Sequence, residues 1–292
     1  MSLPAFTFHR PATLGDAMTL GRRLGRDGAF LAGGTELLPD FHRGRESARH
    51  LIALDAIAEL RGIRLEQGAL RIGALATVAE LARAPLAGEA LPALVDAARA
   101  LGSPQIRSLA TVGGNFCRAV ACADLPPVAV AAEATVRISG GDGDRELAAE
   151  RFFVGPRATV LEPGEILTAI VIPLQPLGSA VSYQRFARRR GSALAVASVA
   201  ARLTLEAGVM RGARIVLGAV APIPWLVPRA AAVLEGEAPS PDLFVLAAAA
   251  AAEEARPITD LRGSVEFRRE LVQVLTRRAL EEAAARGGGA AR

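Results

Sequence analysis

The chain has 292 residues, 51% of them hydrophobic and 22% charged, which suits about two globular domains and excludes a disordered protein. All 34 basic residues are arginine and the net charge is +4; the absence of lysine excludes a Schiff-base lysine and the lysine of a Walker-A phosphate loop. Aromatics make up 4% and Cys117 and Cys122 are the only cysteines, which excludes a secreted disulfide framework and leaves the core to Ala, Val, Leu and Ile.

In chain order, Met1-Ser2-Leu3-Pro4 lacks the basic and apolar stretches of a signal peptide, so a cytoplasmic location is expected. Residues 1–60 read as β/α units. A helix from Thr13 to about Arg26 opens on Thr13-x-x-Asp16, a strand covers Ala29–Ala32, a helix covers Glu36–Arg43 and a strand covers Leu51–Leu54. From about residue 61 the pattern changes. Ile63–Glu66 and Leu70–Ile72 alternate around Gln67-Gly68-Ala69, a hairpin signal. Thr77-x-x-Glu80 is a capping box for a helix stopped at Pro85, and Leu91–Ala100 is a second helix ended by Gly102. An apolar helix spans Asp124–Ala134. Thr135–Ser139 and Arg145–Leu147 flank a glycine-rich turn, and a strand covers Glu165–Pro173.

Gln175-Pro176-Leu177-Gly178 reads as a boundary. Beyond it strands are expected at about 181–187, 196–206 and 211–220, and helices at about 228–235, 241–255 and 263–286. The alanine run Ala247–Ala252 lies in an apolar stretch of about ten residues, half the length of a membrane span. Arg185 and Arg188-Arg189-Arg190 form the one tight basic cluster. With only Tyr183 and Phe186 beside it, nucleic acid is not expected as a partner. His9, His42 and His50 lack metal-ligand spacing, and the two cysteines lack further Cys or His partners, so no metal site is expected.

Two segments carry the functional signal. Phe30-Leu31-Ala32-Gly33-Gly34-Thr35-Glu36-Leu37 and Thr111-Val112-Gly113-Gly114-Asn115 each set adjacent glycines beside hydroxyl or amide side chains. Asn115 is the only asparagine in the chain. Such glycines let backbone approach a ligand, and helices following them favour anions. Asp124, nine residues after Asn115, would repel phosphate; it is either a helix cap or an acceptor for sugar hydroxyls, as acidic residues are in dinucleotide sites. The combination suits a dinucleotide. Neither segment fits G-x-G-x-x-G or the P-loop, and no G-x-S-x-G or H-E-x-x-H occurs.

At these residues, and at Asp124-Leu125-Pro126-Pro127, the chain resembles the FAD-binding medium subunits of the molybdenum hydroxylases, of the carbon monoxide dehydrogenase, xanthine dehydrogenase and 4-hydroxybenzoyl-CoA reductase type. Ile72-Gly73-Ala74-Leu75, Gln105-Ile106-Arg107, Glu162-Pro163-Gly164-Glu165-Ile166-Leu167 and Asp260-Leu261-Arg262-Gly263 extend the resemblance over nearly the whole chain. It implies an α+β protein: a two-part FAD-binding domain of the vanillyl-alcohol-oxidase type at 1–176, with parts at about 1–60 and 61–176. A smaller α+β domain follows at 177–287, then a disordered tail at 288–292. It implies FAD as cofactor, with residues 30–37 around the pyrophosphate and Thr111, Gly113, Gly114 and Asn115 as a second wall. Leu101 and Gly102 would line the approach, Asp124 would bond the sugar-like chain and Leu167 would touch the isoalloxazine. Arg185 would lie near the flavin ring or at the surface.

The resemblance places substrate chemistry on a large molybdopterin-binding subunit and two [2Fe-2S] clusters on a small subunit, in a dimer of heterotrimers. Electrons would reach the FAD of this chain and leave to an external acceptor. The residues agree, for no acid, base or nucleophile set stands out. The alternatives are a stand-alone flavin oxidase, disfavoured by a single Trp and a single Tyr, and a scaffold subunit that has lost FAD. The reductase branch carries an extra iron–sulfur cluster on an inserted segment here; with no insertion and two cysteines, no cluster is expected.

Overall fold

The computed structural model describes residues 4–189 and 191–290. Its first part runs β1 (Thr7–His9), α1 (Leu14–Leu24), β2 (Gly28–Leu31), α2 (Leu37–His42) and β3 (His50–Ala53). Then come β4 (Ile63–Glu66), β5 (Ala69–Gly73) and six short helices, α3 (Val78–Leu81), α4 (Pro85–Ala90), α5 (Pro92–Ala100), α6 (Pro104–Leu109), α7 (Val112–Cys117) and α8 (Leu125–Ala131). Strands β6 (Thr135–Gly140), β7 (Gly143–Ala148), β8 (Phe153–Gly155), β9 (Ala158–Thr159) and β10 (Ile166–Pro173) follow. The remainder is β11 (Ser179–Phe186), β12 (Ala197–Glu206), β13 (Val209–Gly218), β14 (Trp225–Leu226), α9 (Pro228–Ala232), α10 (Pro241–Glu254) and α11 (Val265–Ala290).

Three larger sheets organise most of these elements, beside a two-stranded antiparallel pair β8-β9. β1-β3-β2 is parallel; β4-β5-β10-β6-β7 and β11-β12-β13-β14 are antiparallel. Two hairpins turn on residue pairs with positive φ, Gln67-Gly68 (50° and 74°) and Ala207-Gly208 (50° and 85°). Both central residues of such a turn must be left-handed to match the strand twist. The capping box at Thr77 and Glu80 forms as its spacing predicts, and Thr13 accepts the Asp16 amide at the head of α1.

Helices α4 and α6 were not expected. Pro85 reads as the stop of the helix before it and Pro104 follows the Gly102 stop, but each sits in the first turn of a helix, where its missing N–H costs nothing. The four shortest strands, β1, β8, β9 and β14, carry too little periodicity to be read. α11 continues to Ala290, through glycines where a tail was expected; residues 291 and 292, the rest of that tail, lie outside the described residues, as does Arg190 of the basic cluster.

The sheet β11–β14 is packed on both faces. Val181, Tyr183, Ala200 and Val216 join the large core built from β5, β6, β10 and helices α3–α5, α7 and α8. Val199, Leu203, Ile215 and Leu217 point the other way, into a core with α10 and α11. This is why β12 is buried at eight consecutive positions, 197–204, and is rich in alanine. Alternation along β11 sends Ser182 and Gln184 to Glu282 of α11, while the odd positions meet the first part of the chain. The Asp260-Leu261-Arg262-Gly263 motif is a structural clasp. Asp260 accepts bonds from Arg262 and from Arg268, whose buried guanidinium also donates to Val196 O and Ala219 O.

Candidate functional site

The two glycine segments face each other across a cleft of about 440 Å³. One wall is Phe30 and Ala32–Leu37, at the end of β2 and the start of α2. The other is Thr111, Gly114 and Asn115 of α7 with the turn that leads to Asp124; Leu101–Gly102 and Ser192–Leu194 complete the lining. A wider, open depression of about 620 Å³ around Thr77, Glu80 and Arg83 has no converging polar set, since Glu80 is engaged in its capping box.

The glycines divide their tasks. A Cβ on Gly33 would lie 1.9 Å from Leu109 O, so this glycine lets the first wall press against the backbone just before the second. Gly34 takes a φ of +70°, turning the chain into α2. A Cβ on Gly113 would lie 2.6 Å from Ala74 Cβ, so Gly113 seats α7 on the core and does not line the cleft. Gly114 does line it, and its amide is taken by the cap Thr111 Oγ1 at 3.1 Å. The first intrahelical bond of the first wall is Leu38 N–H to Gly34 O. The amides of Thr35, Glu36 and Leu37 precede it, and all three residues line the cleft. Asn115 Oδ1 is buried without a hydrogen-bond partner among the described residues.

Asp124 stands at the head of α8, but its side chain makes no cap bond. It is 5% exposed, accepts the Tyr183 hydroxyl at 2.7 Å and lies 3.4 Å from Arg185 Nε. Burial pushes its carboxyl up, against the pull of Arg185 and Tyr183. Burial likewise raises the Tyr183 phenol well above its ordinary value, so it stays a donor. Arg185 also donates to Ala100 O and, at 2.6 Å, to Ala193 O. Ser192 N–H donates to Gly102 O at 3.2 Å, so the loop after β11 closes over Leu101–Gly102.

Of the expected site residues, the structure brings Phe30, Ala32, Gly33, Gly34, Thr35, Glu36, Leu37, Leu101, Gly102, Thr111, Gly114, Asn115 and Asp124 to one lining. Four are placed elsewhere. Leu31 packs into the small cluster under Phe41, because strand alternation turns it away from Phe30. Gly113 meets Ala74, as above. Leu167 is 3% exposed within the large core, not at the cleft. Arg185 stands behind Asp124, not on the surface.

The cleft also has residues that were not foreseen. Arg118 donates to buried Asp40 at 2.5 Å and lies 3.2 Å from Glu36, tying the second wall to the first. Its position four residues after Gly114, on the same helical face, was a usable signal. Cys117 and Cys122 both line the cleft as free thiols. Ser192–Leu194 reach it from the far side of the boundary, which no local pattern signals. Among the described residues, no group of three His, Cys, Asp or Glu is placed to hold a metal ion.

Comparison with known proteins gives two matching family models: the FAD binding domain in molybdopterin dehydrogenase over residues 4–175, and the CO dehydrogenase flavoprotein C-terminal domain over 182–283. The carbon monoxide dehydrogenase medium chain of Afipia carboxidovorans is 35% identical over 282 residues, 97% of this chain and 98% of that one. The putative xanthine dehydrogenase FAD-binding subunit of Escherichia coli K12 is 33% identical over 285 residues, 97% of each. The structure of carbon monoxide dehydrogenase from Hydrogenophaga pseudoflava superposes with a TM-score of 0.95 at 34% identity, covering 98% of this chain and 99% of that one.

Proposed function

We propose that the chain, which belongs to the FAD-binding medium subunits of the molybdenum hydroxylases, holds FAD in the cleft between its two glycine segments and relays electrons through it. The residues present fit the group. Residues 35–37 offer backbone donors, Gly114 lines the cleft without a side chain to keep the pyrophosphate away, Asn115 Oδ1 has an unfilled acceptor position, and Asp124 suits hydroxyls. Bound FAD supplies both one-electron and two-electron chemistry; the protein binds and orients it.

The observation that carries this reading is the convergence of both segments on one lining without a free catalytic base. Asp124, the buried carboxylate there, is already held by Tyr183 and Arg185. Electrons would come from [2Fe-2S] clusters of a small partner subunit and pass to an external acceptor. A large molybdopterin-binding subunit would carry the substrate site, in a dimer of heterotrimers in the cytoplasm. Relatives named for carbon monoxide and for xanthine match this chain over almost the same length, which supports a substrate site on another chain. Among the described residues no helix is long and apolar enough to cross a membrane. Purified chain should show flavin absorbance and stay oxidised with candidate substrates, then bleach once both partner subunits and substrate are added. Failure to bind FAD even with both partners would overturn the reading, and rapid reduction of the isolated chain by a substrate would replace it with a stand-alone oxidase.

A further inference from the structure

Tyr183 and Arg185 surround the cleft without lining it. They lie two residues apart on β11, so they leave the same face of that strand, the one packed on the first part of the chain. The Tyr183 ring is buried in the large core and its hydroxyl reaches Asp124 Oδ1. Arg185 Nε approaches the same oxygen at 3.4 Å and is buried without a hydrogen-bond partner of its own. Both contacts fall on Oδ1; Oδ2 accepts no hydrogen bond among the described residues. The guanidinium is fixed independently of Asp124, by Ala100 O just before the Leu101–Gly102 lining and by Ala193 O in the closing loop.

We propose that Tyr183 and Arg185 are positioning residues which the C-terminal region contributes to the cofactor cleft. Tyr183 fixes Oδ1 so that Oδ2 of Asp124 is left for a ligand hydroxyl. Arg185 keeps that carboxylate ionised and joins the Ser192–Leu194 wall to the Leu101–Gly102 wall. This rests on the reading of Asp124 as a hydroxyl acceptor for FAD. The charged and titratable groups around Asp124 are Tyr183 and Arg185 from β11 and Cys122 from the preceding turn, with Arg262 and Glu36 beyond Cys122.

The test is FAD titration of the full chain, stripped of flavin, from pH 4 to 9, read by quenching of flavin fluorescence. Affinity of the unaltered chain should fall as Asp124 protonates. Tyr183→Phe keeps the ring in the core and removes one donor; affinity should drop about tenfold, the usual worth of a hydrogen bond to a charged group. The fall should also move to higher pH. Arg185→Lys keeps the charge but cannot span both carbonyls, so affinity should drop with the pH profile unmoved. Arg185→Gln should change both. Wild-type pH profiles in both Tyr183→Phe and Arg185→Gln would overturn the proposal. Asp124→Asn should be insensitive to pH; if it binds FAD as tightly as the unaltered chain at every pH, the reading of Asp124 itself fails, whatever the other variants do.

Discussion

Arg118→Ala should loosen the cleft by cutting the tie between its walls. Arg118 follows the second glycine segment, and its partners Asp40 and Glu36 follow the first. The Asp40 side chain is 6% exposed and that of Arg118 19%, so the pair is nearly out of water. Removing one partner of a fully buried pair costs about 3–5 kcal/mol, because the other charge is left unpaired. Here Arg157, 3.6 Å from Asp40, remains, so about 2–3 kcal/mol is the expected loss in urea unfolding at pH 7. If half of that holds the walls at binding distance, FAD affinity falls about tenfold.

The pH dependence has a definite sign. Burial raises the Asp40 carboxyl, but the hydrogen bond from Arg118 and the nearby guanidiniums outweigh it and hold it below its ordinary value of 3.8. Its contribution is therefore complete well above pH 4 and is lost as pH falls below it. The gap between the unaltered chain and Arg118→Ala should be flat above about pH 5 and close toward pH 3. Arg157→Ala, at a half-exposed side chain, should cost less than about 1 kcal/mol. An Arg118→Ala protein with an unchanged urea midpoint would refute the burial argument, and unchanged FAD affinity would refute the wall-spacing argument.

Three further outcomes follow from the same geometry. Asn115→Ala removes a buried acceptor that has no partner, so the flavin-free protein should be as stable or about 1 kcal/mol more stable, while FAD affinity falls about tenfold; urea unfolding and fluorescence titration separate the two. Gly33→Ala drives a methyl into Leu109 O and should cost about 2 kcal/mol or more, whereas Gly15→Ala, in α1 with nothing within 4 Å, should gain about 0.5–1 kcal/mol in the same unfolding assay. Cys117 and Cys122 line the cleft, so FAD should protect both from N-ethylmaleimide, as read by mass spectrometry. Burial raises the Cys122 thiol against the pull of Arg262, so its labelling should be slow at pH 7 and accelerate as pH rises past 9.

Much of this architecture was legible because it is locally encoded. The Thr77–Glu80 box, the Gln67-Gly68 and Ala207-Gly208 turns and the alternation in β4–β7 each specify structure within ten residues. What was not legible depends on contacts between distant segments. Gly33 and Gly113 read as sites of ligand approach; Gly33 lines the cleft but also lets the chain pack on Leu109, and Gly113 packs on Ala74 instead. Leu167 sits among the core strands because the β10 register sets it opposite Ile138. Asp124 was read as a cap or a ligand contact; its actual partners, Tyr183 and Arg185, lie about sixty residues on. Arg118 pairs with Glu36 and Asp40 only because the fold brings segments about eighty residues apart together.

The lysine-free composition has a structural consequence, whatever its origin. Three arginines act as clasps that an ammonium could not imitate. Arg118 reaches Asp40 and Glu36, Arg185 reaches Ala100, Ala193 and Asp124, and Arg268 reaches Val196, Ala219 and Asp260. A planar fork with five donors can serve two or three acceptors from different segments, whereas an ammonium on a flexible stem concentrates its donors at one point. Arg268 is the cleanest case, since it is 2% exposed and water cannot replace a lost partner. Arg268→Lys keeps the charge opposite Asp260 but leaves at least one of the two carbonyls without its donor. It should cost about 2–3 kcal/mol in urea unfolding. Arg277→Lys, in the half-exposed pair with Glu281 on α11, should cost less than about 0.5 kcal/mol. Equal effects of the two substitutions would mean that charge alone, and not the fork, holds these segments together.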